Sequence, residues 1–147
     1  MIAGVDYPAI AVTFLCHDDQ GNILFHKRSQ NCRDEKGRWD WGGGKMELGE
    51  TIEQAVLREI KEEYGCSGII EFSFPPLDYF GQQENFKTHW IVLGHLVRVN
   101  KAEVINNEPR SIEEIGWFSW DNLPQPLHRG VQEDIKIYKP YLEKLLK

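Results

Sequence analysis

The segment from Arg58 to Glu63 contains an arginine and three glutamates within six residues. In a helix, at about 100° per residue, Glu59, Glu62 and Glu63 fall within a sector roughly 100° wide. Carboxylates three and four residues apart repel each other by about 0.2–0.5 kcal/mol per pair, and Arg58 offsets part of that repulsion. The cluster is therefore unfavourable unless a cation occupies it. A hard divalent ion such as Mg²⁺, which prefers oxygen ligands, suits it best.

Glycines at positions 42–44 precede this segment and lead towards it. Glycine allows the backbone to adopt positive φ and to approach a ligand closely. A glycine-rich entry to a helix is weak evidence alone, and a solvated acidic face is the competing interpretation of the glutamates. The choice between a metal site and a solvated acidic face therefore depends on whether the glycines and the glutamates occur together at a defined spacing.

The spacing decides between these interpretations. It resembles the Nudix box, with fixed residues in the order Gly44, five residues, Glu50, seven residues, Arg58-Glu59-Ile60, one residue, Glu62-Glu63, one residue, Gly65 and a small residue. So many constrained positions within 23 residues favour a metal site over a solvated face. Two positions depart from the common form, because Cys66 replaces an aliphatic residue and Gly42 stands where proline is frequent.

The resemblance implies a role for each box residue. It implies that Glu62 and Glu63 are metal ligands and that Glu59 is a ligand or the general base. It also implies a contact from the carbonyl of Gly43 or Gly44, with Mg²⁺ as the cofactor and Mn²⁺ as a substitute.

The resemblance further implies that Arg58 supports catalysis by pairing with Glu50, which holds the loop against the helix. It also leads us to expect one more carboxylate ligand from beyond the box. Glu113 is favoured for that role, with Glu114 and Glu108 as alternatives.

Substrate contacts are expected from Lys45, Glu50, Arg38 and Trp41. Lys45 and Arg38 could meet phosphates, although both also suit a solvated surface. Trp41 could stack on a base, as could three other aromatic residues, although aromatic side chains in a domain of this size are frequently core. The other three are Phe80, Phe86 and Trp90.

The implied reaction is metal-dependent cleavage of the diphosphate linkage of a nucleotide. The segment from Asn106 to Pro109, followed by Trp117-Phe118, is similar to the MutT-like branch, which converts (deoxy)nucleoside triphosphates to monophosphates and pyrophosphate. An ADP-ribose or ADP-sugar pyrophosphatase is the alternative within the class. A non-catalytic nucleotide-sensing module is the alternative from another class, but such modules commonly lose box glutamates.

Outside the box, hydrophobic periodicity predicts strands alternating with two helices. The expected fold is an α/β/α sandwich in which helices pack on a mixed β-sheet. The predicted elements are a hairpin of strands 9–15 and 23–25, a loop over 29–40, a helix over about 51–64, strands at 68–74, 77–82, 89–99 and 117–120, and a closing helix from Val131 with a kink or boundary at Pro140.

The length and composition predict one soluble, cytoplasmic domain over residues 1–147, with 41% hydrophobic residues and no apolar run of membrane-spanning length, and the resemblance implies that it is a single Nudix hydrolase domain. Its three cysteines form no CxxC pair and are expected as free thiols. A net charge of −6 argues against a nucleic-acid polymer as partner. The expected partner is a small nucleotide, with no membrane, and a homodimer is an open alternative.

Overall fold

The computed structural model describes residues 1–146, which form eight strands and two α-helices. The strands are β1 Ala9–His17, β2 Asn22–Arg28, β3 Trp39–Asp40, β4 Gly43–Lys45, β5 Ile69–Ser73, β6 Leu77–Gln83, β7 Phe86–Arg98 and β8 Ile112–Ser119. The helices are α1 Ile52–Tyr64 and α2 Arg129–Leu145, and a short 3-10 helix spans Lys101–Glu103.

The central strand β1 divides the sheet. It pairs in parallel with β7 along its whole length but meets β2 only at His17↔Ile23. Beyond that point the two strands diverge, and β4 pairs with β1 antiparallel from Ala11↔Lys45 to Thr13↔Gly43. Strands β3 and β8 extend the sheet from β2, while β5 and β6 pair with β7. The divergence leaves a cleft into which the glycine-rich strand β4 fits.

Two hydrophobic cores lie on opposite faces of the sheet. One packs α1 against residues such as Val12 and Phe14, and the other packs α2 against Leu15 and Leu96. Side chains of neighbouring strand residues alternate between the faces, so β1 contributes to both cores. The architecture confirms the predicted α/β fold, with helices packed on a mixed sheet.

Helix α1 begins and ends at the residues that its sequence predicts. The hydroxyl of Thr51 accepts from the backbone N–H of Gln54, whose side chain accepts from the Thr51 N–H in return. Such a cap contributes about 1 kcal/mol. Gly65 ends the helix in the left-handed conformation at φ 66°, a geometry that glycine adopts without strain. Val56 and Ile60, on the buried face of α1, are fully buried.

Several predicted elements differ from the structure in extent. The hairpin of β1 and β2 forms, but the pairing stops early because β4 takes the place of β2 beside β1. The predicted loop over 29–40 ends in β3, so the short strands β3 and β4 were missed. Strand β8 begins at Ile112 rather than 117, which puts Glu113 and Glu114 inside a strand.

The closing helix continues through Pro140 to Leu145, so Pro140 is not a boundary. A proline removes the hydrogen bond to the carbonyl four residues earlier, here that of Lys136. Both Pro140 and Lys136 are exposed, so water can satisfy that carbonyl.

All three cysteines, Cys16, Cys32 and Cys66, are free thiols in the described residues, as predicted. No helix within residues 1–146 has the length and hydrophobicity needed to cross a membrane.

Candidate active site

The glycines of the loop and of β4 bring the backbone against both β1 and α1. A Cβ on Gly44 would lie 2.2–2.4 Å from the carboxylate atoms of Glu59, and one on Gly43 would lie 2.6 Å from the Val12 carbonyl oxygen. Both distances are shorter than any real side chain tolerates. The box therefore needs glycine here because a strand and a helix edge approach each other directly.

Arg58 connects the loop to the acidic edge of α1. Its Nε and Nη2 donate to the two carboxylate oxygens of Glu50, at 2.9 and 2.7 Å. Its Nη1 donates to Glu59 at 2.8 Å and approaches Glu62 at 3.3 Å. The hydrogen bond from Arg58, with that from the Glu47 amide, lowers the pKa of Glu50 to about 2. Arg58 thus positions the loop and neutralises part of the acidic edge.

Glu63 points away from Arg58, towards the glycine-rich loop. It is a buried carboxylate on α1, 8% exposed, whose Oε2 has no hydrogen-bond partner within residues 1–146. Burial raises the pKa of Glu63 well above its usual range, and the charges of Asp40, Glu59 and Glu108 raise it further. A hydrogen bond from the Gly43 backbone opposes this shift without cancelling it, and a buried carboxylate with one oxygen unpaired is costly, so this position suits a bound cation.

Glu108 reaches the same edge from outside the box. Asn107 docks its loop on the end of α1, where its backbone N–H donates to the Glu63 carbonyl at 2.9 Å and its side-chain amide donates to the Glu62 carbonyl at 3.1 Å. Burial, and then the charge of Glu62, raise the pKa of Glu108. Glu59 has a raised pKa too, chiefly through burial, with contributions from Glu62 and Glu108 against the opposing effect of Arg58.

The donor set fits a hard divalent cation. The carboxylates of Glu59, Glu62, Glu63 and Glu108 lie near one edge of α1 and repel one another, and the Oε2 of Glu63 has no hydrogen-bond partner within residues 1–146. Within residues 1–146, however, no three acidic, histidine or cysteine side chains are already arranged around a common point. Arg58 holds Glu59 and Glu62 while Glu63 turns the other way, so a cation would have to draw these carboxylates together.

Asp40 forms a second anionic position that the sequence analysis missed. Its Oδ1 accepts from the backbone N–H groups of Trp41 at 2.8 Å and Gly42 at 3.5 Å. Burial opposes its ionisation, but nearby His26, His128 and Arg28 outweigh that effect, and the pKa of Asp40 is lowered. It ends the two-residue strand β3, which has no sequence periodicity, so only the fold brings these chain-distant partners together.

A cavity of about 270 Å³ extends from the box to α2. One end, here called the box end, is lined by Gly43, Gly44 and Glu63. The other end, here called the α2 end, is lined by three residues from β6, β7 and α2, namely Tyr79, Trp90 and Asp134. The cavity therefore joins the acidic edge to a region with aromatic and polar side chains.

Comparison with known proteins identifies the family. The chain matches the NUDIX domain family over residues 7–141. The chain belongs to the Nudix family. A crystal structure of a MutT NUDIX hydrolase from Burkholderia pseudomallei is 30% identical, with a TM-score of 0.73 over 88% of this chain and 96% of that one. The MutT protein from Methanosarcina mazei Go1, at 23% identity and a TM-score of 0.76, supports the fold.

The curated relatives of this Nudix chain are named for different activities. An NAD-capped RNA hydrolase NudC from Pseudomonas aeruginosa is 31% identical over 126 residues, which is 85% of this chain and 42% of the relative. An oxidized purine nucleoside triphosphate hydrolase from Danio rerio is 33% identical over 60% of this chain and 53% of the relative. The chain thus spans about two fifths to one half of the length of these relatives.

Two residues expected to contact ligands at the Nudix site have different surroundings from those expected. The carboxylate of Glu113 is 51% exposed and pairs with Lys27 at 3.5 Å, because β8 pairs with β2 and carries Glu113 away from α1. Glu108, one of the alternatives, occupies the place beside the box instead. Trp41 borders the cavity, but its ring is 1% exposed and packs against Phe25 and Tyr138, so it is chiefly a core residue.

The two predicted basic contacts also lie outside the cavity lining. Arg38 donates from Nη1 to the Leu127 carbonyl at 2.9 Å and pairs through Nε with Glu35 at 3.2 Å, which ties the 29–38 loop to the segment before α2. Lys45 is exposed and lines a separate groove with Glu50, while its carbonyl accepts from Arg58 at 3.2 Å. Both residues serve the loops around the site in this structure.

Proposed function

We propose that this chain is a metal-dependent hydrolase that cleaves the diphosphate linkage of a nucleotide. The preferred substrate is a (deoxy)nucleoside triphosphate, which the enzyme converts to a nucleoside monophosphate and pyrophosphate. The observation that carries the proposal is the complete acidic edge of α1, at one end of a cavity of about 270 Å³. The MutT NUDIX hydrolase relative, similar over nearly its whole length, supports the same reaction class.

The proposed ligands of Mg²⁺ or Mn²⁺ are Glu59, Glu62 and Glu63, with a backbone carbonyl at Gly43 and the carboxylate of Glu108. When bound, the ion would neutralise charge on the diphosphate oxygens and lower the pKa of a water molecule towards neutral pH. The buried Oε2 of Glu63 supports this assignment because it has no hydrogen-bond partner within residues 1–146.

The remaining residues of the site orient the reacting groups. Glu59 lies against Gly44 and accepts from Arg58, so it is held at the mouth of the box, where it could accept a proton from the attacking water. Arg58 and Glu50 keep the loop fixed to α1 through two parallel hydrogen bonds. His128 accepts the Gly130 N–H through Nδ1 at 2.9 Å, which leaves its other ring nitrogen as a donor beside Asp40.

A second candidate function is cleavage of a diphosphate that joins a nucleotide to another sugar-containing group, such as ADP-ribose or an ADP-sugar. The similarity to NAD-capped RNA hydrolases over 85% of the chain favours this alternative. The cavity lining does not distinguish the two, because both substrates place a diphosphate at the box end and a base in the cavity. A purely nucleotide-sensing module is disfavoured because Glu59, Glu62 and Glu63 are all present.

The test is a substrate panel with Mg²⁺, comprising dGTP, oxidised dGTP, dATP, ADP-ribose, NADH and diadenosine tetraphosphate, with products separated by ion-exchange chromatography. The proposal expects monophosphate and pyrophosphate from a triphosphate, and no turnover in chelator. Faster cleavage of ADP-ribose or NADH would support the second candidate. Cleavage of no compound, with tight binding retained, would contradict both enzymatic proposals.

A further inference from the structure

Strand β6 forms a free edge of the sheet. It pairs antiparallel with β7 from Leu77↔Val92 to Gln83↔Phe86, and no other strand in the described part of the chain pairs with it. In an antiparallel pair, every second residue turns its N–H and C=O away from the partner strand. These outward groups of β6 have no backbone partner elsewhere in residues 1–146. The outer side of β6 therefore offers a row of donors and acceptors to another strand.

The other free edges of the sheet are protected, whereas β6 is not. Charged side chains and prolines on an edge strand discourage pairing with another chain. Strand β5, on the same side of β7, carries Glu71 and is followed by two prolines at 75 and 76, and β8 at the opposite edge carries Glu113 and Glu114. The charge on β6 is that of Asp78, which accepts a hydrogen bond from His89 at 2.8 Å.

Exposed aromatic rings lie on this unprotected edge. Phe80 is 72% exposed, although one face of its ring stacks on His89 with 4.5 Å between the ring centroids. Its neighbour Tyr79 projects to the opposite face of the sheet and is 42% exposed. Aromatic residues are enriched where protein surfaces meet. Both faces of β6 therefore present apolar surface beside the unused backbone groups.

We propose that β6 pairs antiparallel with β6 of a second copy of this chain, about a two-fold axis that passes beside Phe80. In that register Phe80 lies opposite the partner's Phe80, Tyr79 opposite the partner's Gly81 and Asp78 opposite the partner's Gln82. The two-fold axis repeats each of these pairs, so one strand supplies both halves of the interface. The inference goes beyond the proposed function, because it concerns a surface outside the acidic edge of α1.

The side chains of β6 are complementary to themselves in this register. Opposed aromatic residues are favourable cross-strand neighbours. A Cβ on Gly81 would lie 3.3 Å from the Tyr79 ring, so that ring leans along its own strand over Gly81, where it would meet the partner's Tyr79 beside the axis. Aromatic rings that cover a glycine on an edge strand help to fix register. Bulky and small residues are thus matched across the axis.

Charge complementarity favours the same occupant. Asp78 lies opposite the neutral Gln82 of the second copy, so the register opposes no like charges. Gln82 pairs with Lys87 on β7, and directly paired residues share a face of the sheet. A cation therefore stands in the row that receives the partner's Asp78. A seven-residue strand is a smaller contact than the roughly 800 Å² per partner of a stable complex, so we expect a dissociation constant of about 1–100 µM.

Sedimentation velocity of the full chain without substrate or metal, from about 1 to 300 µM, tests the pairing. The wild-type protein should pass from monomer to dimer as its concentration rises. Phe80→Asp puts two carboxylates opposite each other and should weaken association about tenfold or more. Ile69→Asp, on β5 beyond the prolines, adds the same charge at a residue that is 56% exposed, and should leave association unchanged. Thermal melts should show that both variants fold.

A charge swap tests whether residue 80 faces itself across the axis. Phe80→Lys alone should associate as weakly as Phe80→Asp, but an equal mixture of the two should dimerise about tenfold more tightly than either, because Asp then opposes Lys. A mixture no tighter than its components would overturn the proposal, as would dimerisation that Phe80→Asp leaves intact. A wild-type protein that stays monomeric throughout would also overturn it and would leave the edge to a strand of a different protein.

Discussion

At the box end of the cavity, several carboxylates crowd one edge of α1, whereas at the α2 end Asp134 lies beside aromatic rings. The first arrangement raises the pKa values of Glu59 and Glu63 through burial and mutual repulsion, with Arg58 compensating part of the charge. The second raises the pKa of Asp134 mainly through burial. A crowded acidic edge suits a multivalent cation, while an isolated carboxyl suits a neutral partner with hydrogen-bond donors.

The comparison also separates reaction from selectivity. Changes at the box end should affect turnover for every substrate, because the diphosphate is common to all of them. Changes at the α2 end should alter which base is accepted and should leave the reaction itself intact.

Glu63→Gln should reduce kcat about 10³-fold, because it removes a proposed ligand at the most buried position of the edge. It should not unfold the protein, since glutamine keeps the shape and removes a buried charge whose Oε2 has no hydrogen-bond partner within residues 1–146. Steady-state hydrolysis in Mg²⁺ and a thermal melt measure the two effects. Near wild-type turnover in a folded Glu63→Gln protein would contradict the assignment.

Gly44→Ala should lower turnover about 10²-fold with a smaller loss of stability. The added Cβ would lie within 2.4 Å of the Glu59 carboxylate and must push that flexible side chain away from the box end. A displacement of about 1 Å is enough for such a loss. Comparing kcat with the free energy of unfolding in urea separates the two effects. Unchanged kcat would mean that the position of Glu59 is not critical.

Asp134→Asn should stabilise the fold by about 1 kcal/mol at pH 8, after discounting for the partial exposure of the carboxyl. The pKa of Asp134 is raised to about 6 in the folded state, from an ordinary value of 3.8, so the folded protein holds the proton more tightly. Its contribution to stability is greatest below pH 4 and declines as pH rises through about 6.

Urea unfolding of both proteins at pH 4 and pH 8 measures that difference. The Asp134→Asn and wild-type curves should differ more at pH 8 than at pH 4. If Asp134→Asn were more stable than the wild-type protein at pH 4 but not at pH 8, the pH dependence would have the wrong sign and would contradict the assigned environment of Asp134.

Glu113→Gln should have the smallest effect, with turnover unchanged and the free energy of unfolding altered by less than about 0.5 kcal/mol. The side chain is half exposed, and its pairing with Lys27 at 3.5 Å is an exposed contact, which contributes little. The same assays as for Glu63→Gln provide the comparison. A large loss of turnover in Glu113→Gln would restore it as a site residue.

The same two ends differ in how far the sequence predicts them. The box end was predictable because helical spacing puts Glu59, Glu62 and Glu63 on one edge of α1. Local geometry alone fixes these relations, and Thr51 and Gly65 fix the ends of the helix. The strands and the mixed sheet followed from periodicity for the same reason.

The α2 end was not predictable, because Tyr79, Trp90 and Asp134 meet only after β6, β7 and α2 pack together. Glu113 was favoured over Glu108 as the ligand from beyond the box because it precedes an expected strand. In the structure β8 begins earlier and pairs with β2, while the amide of Asn107 docks Glu108 against α1. Tertiary pairing, which carries no local pattern, decided between them.

If the acidic edge of α1 binds a divalent cation, the protein should bind Mn²⁺ in the absence of any substrate. Titration of the wild-type protein with Mn²⁺, followed by electron paramagnetic resonance of the free ion, should show saturable binding. Glu63→Gln should weaken that binding about tenfold or more, while Glu113→Gln should match the wild-type protein. Equal binding by the wild-type and Glu63→Gln proteins would contradict the account.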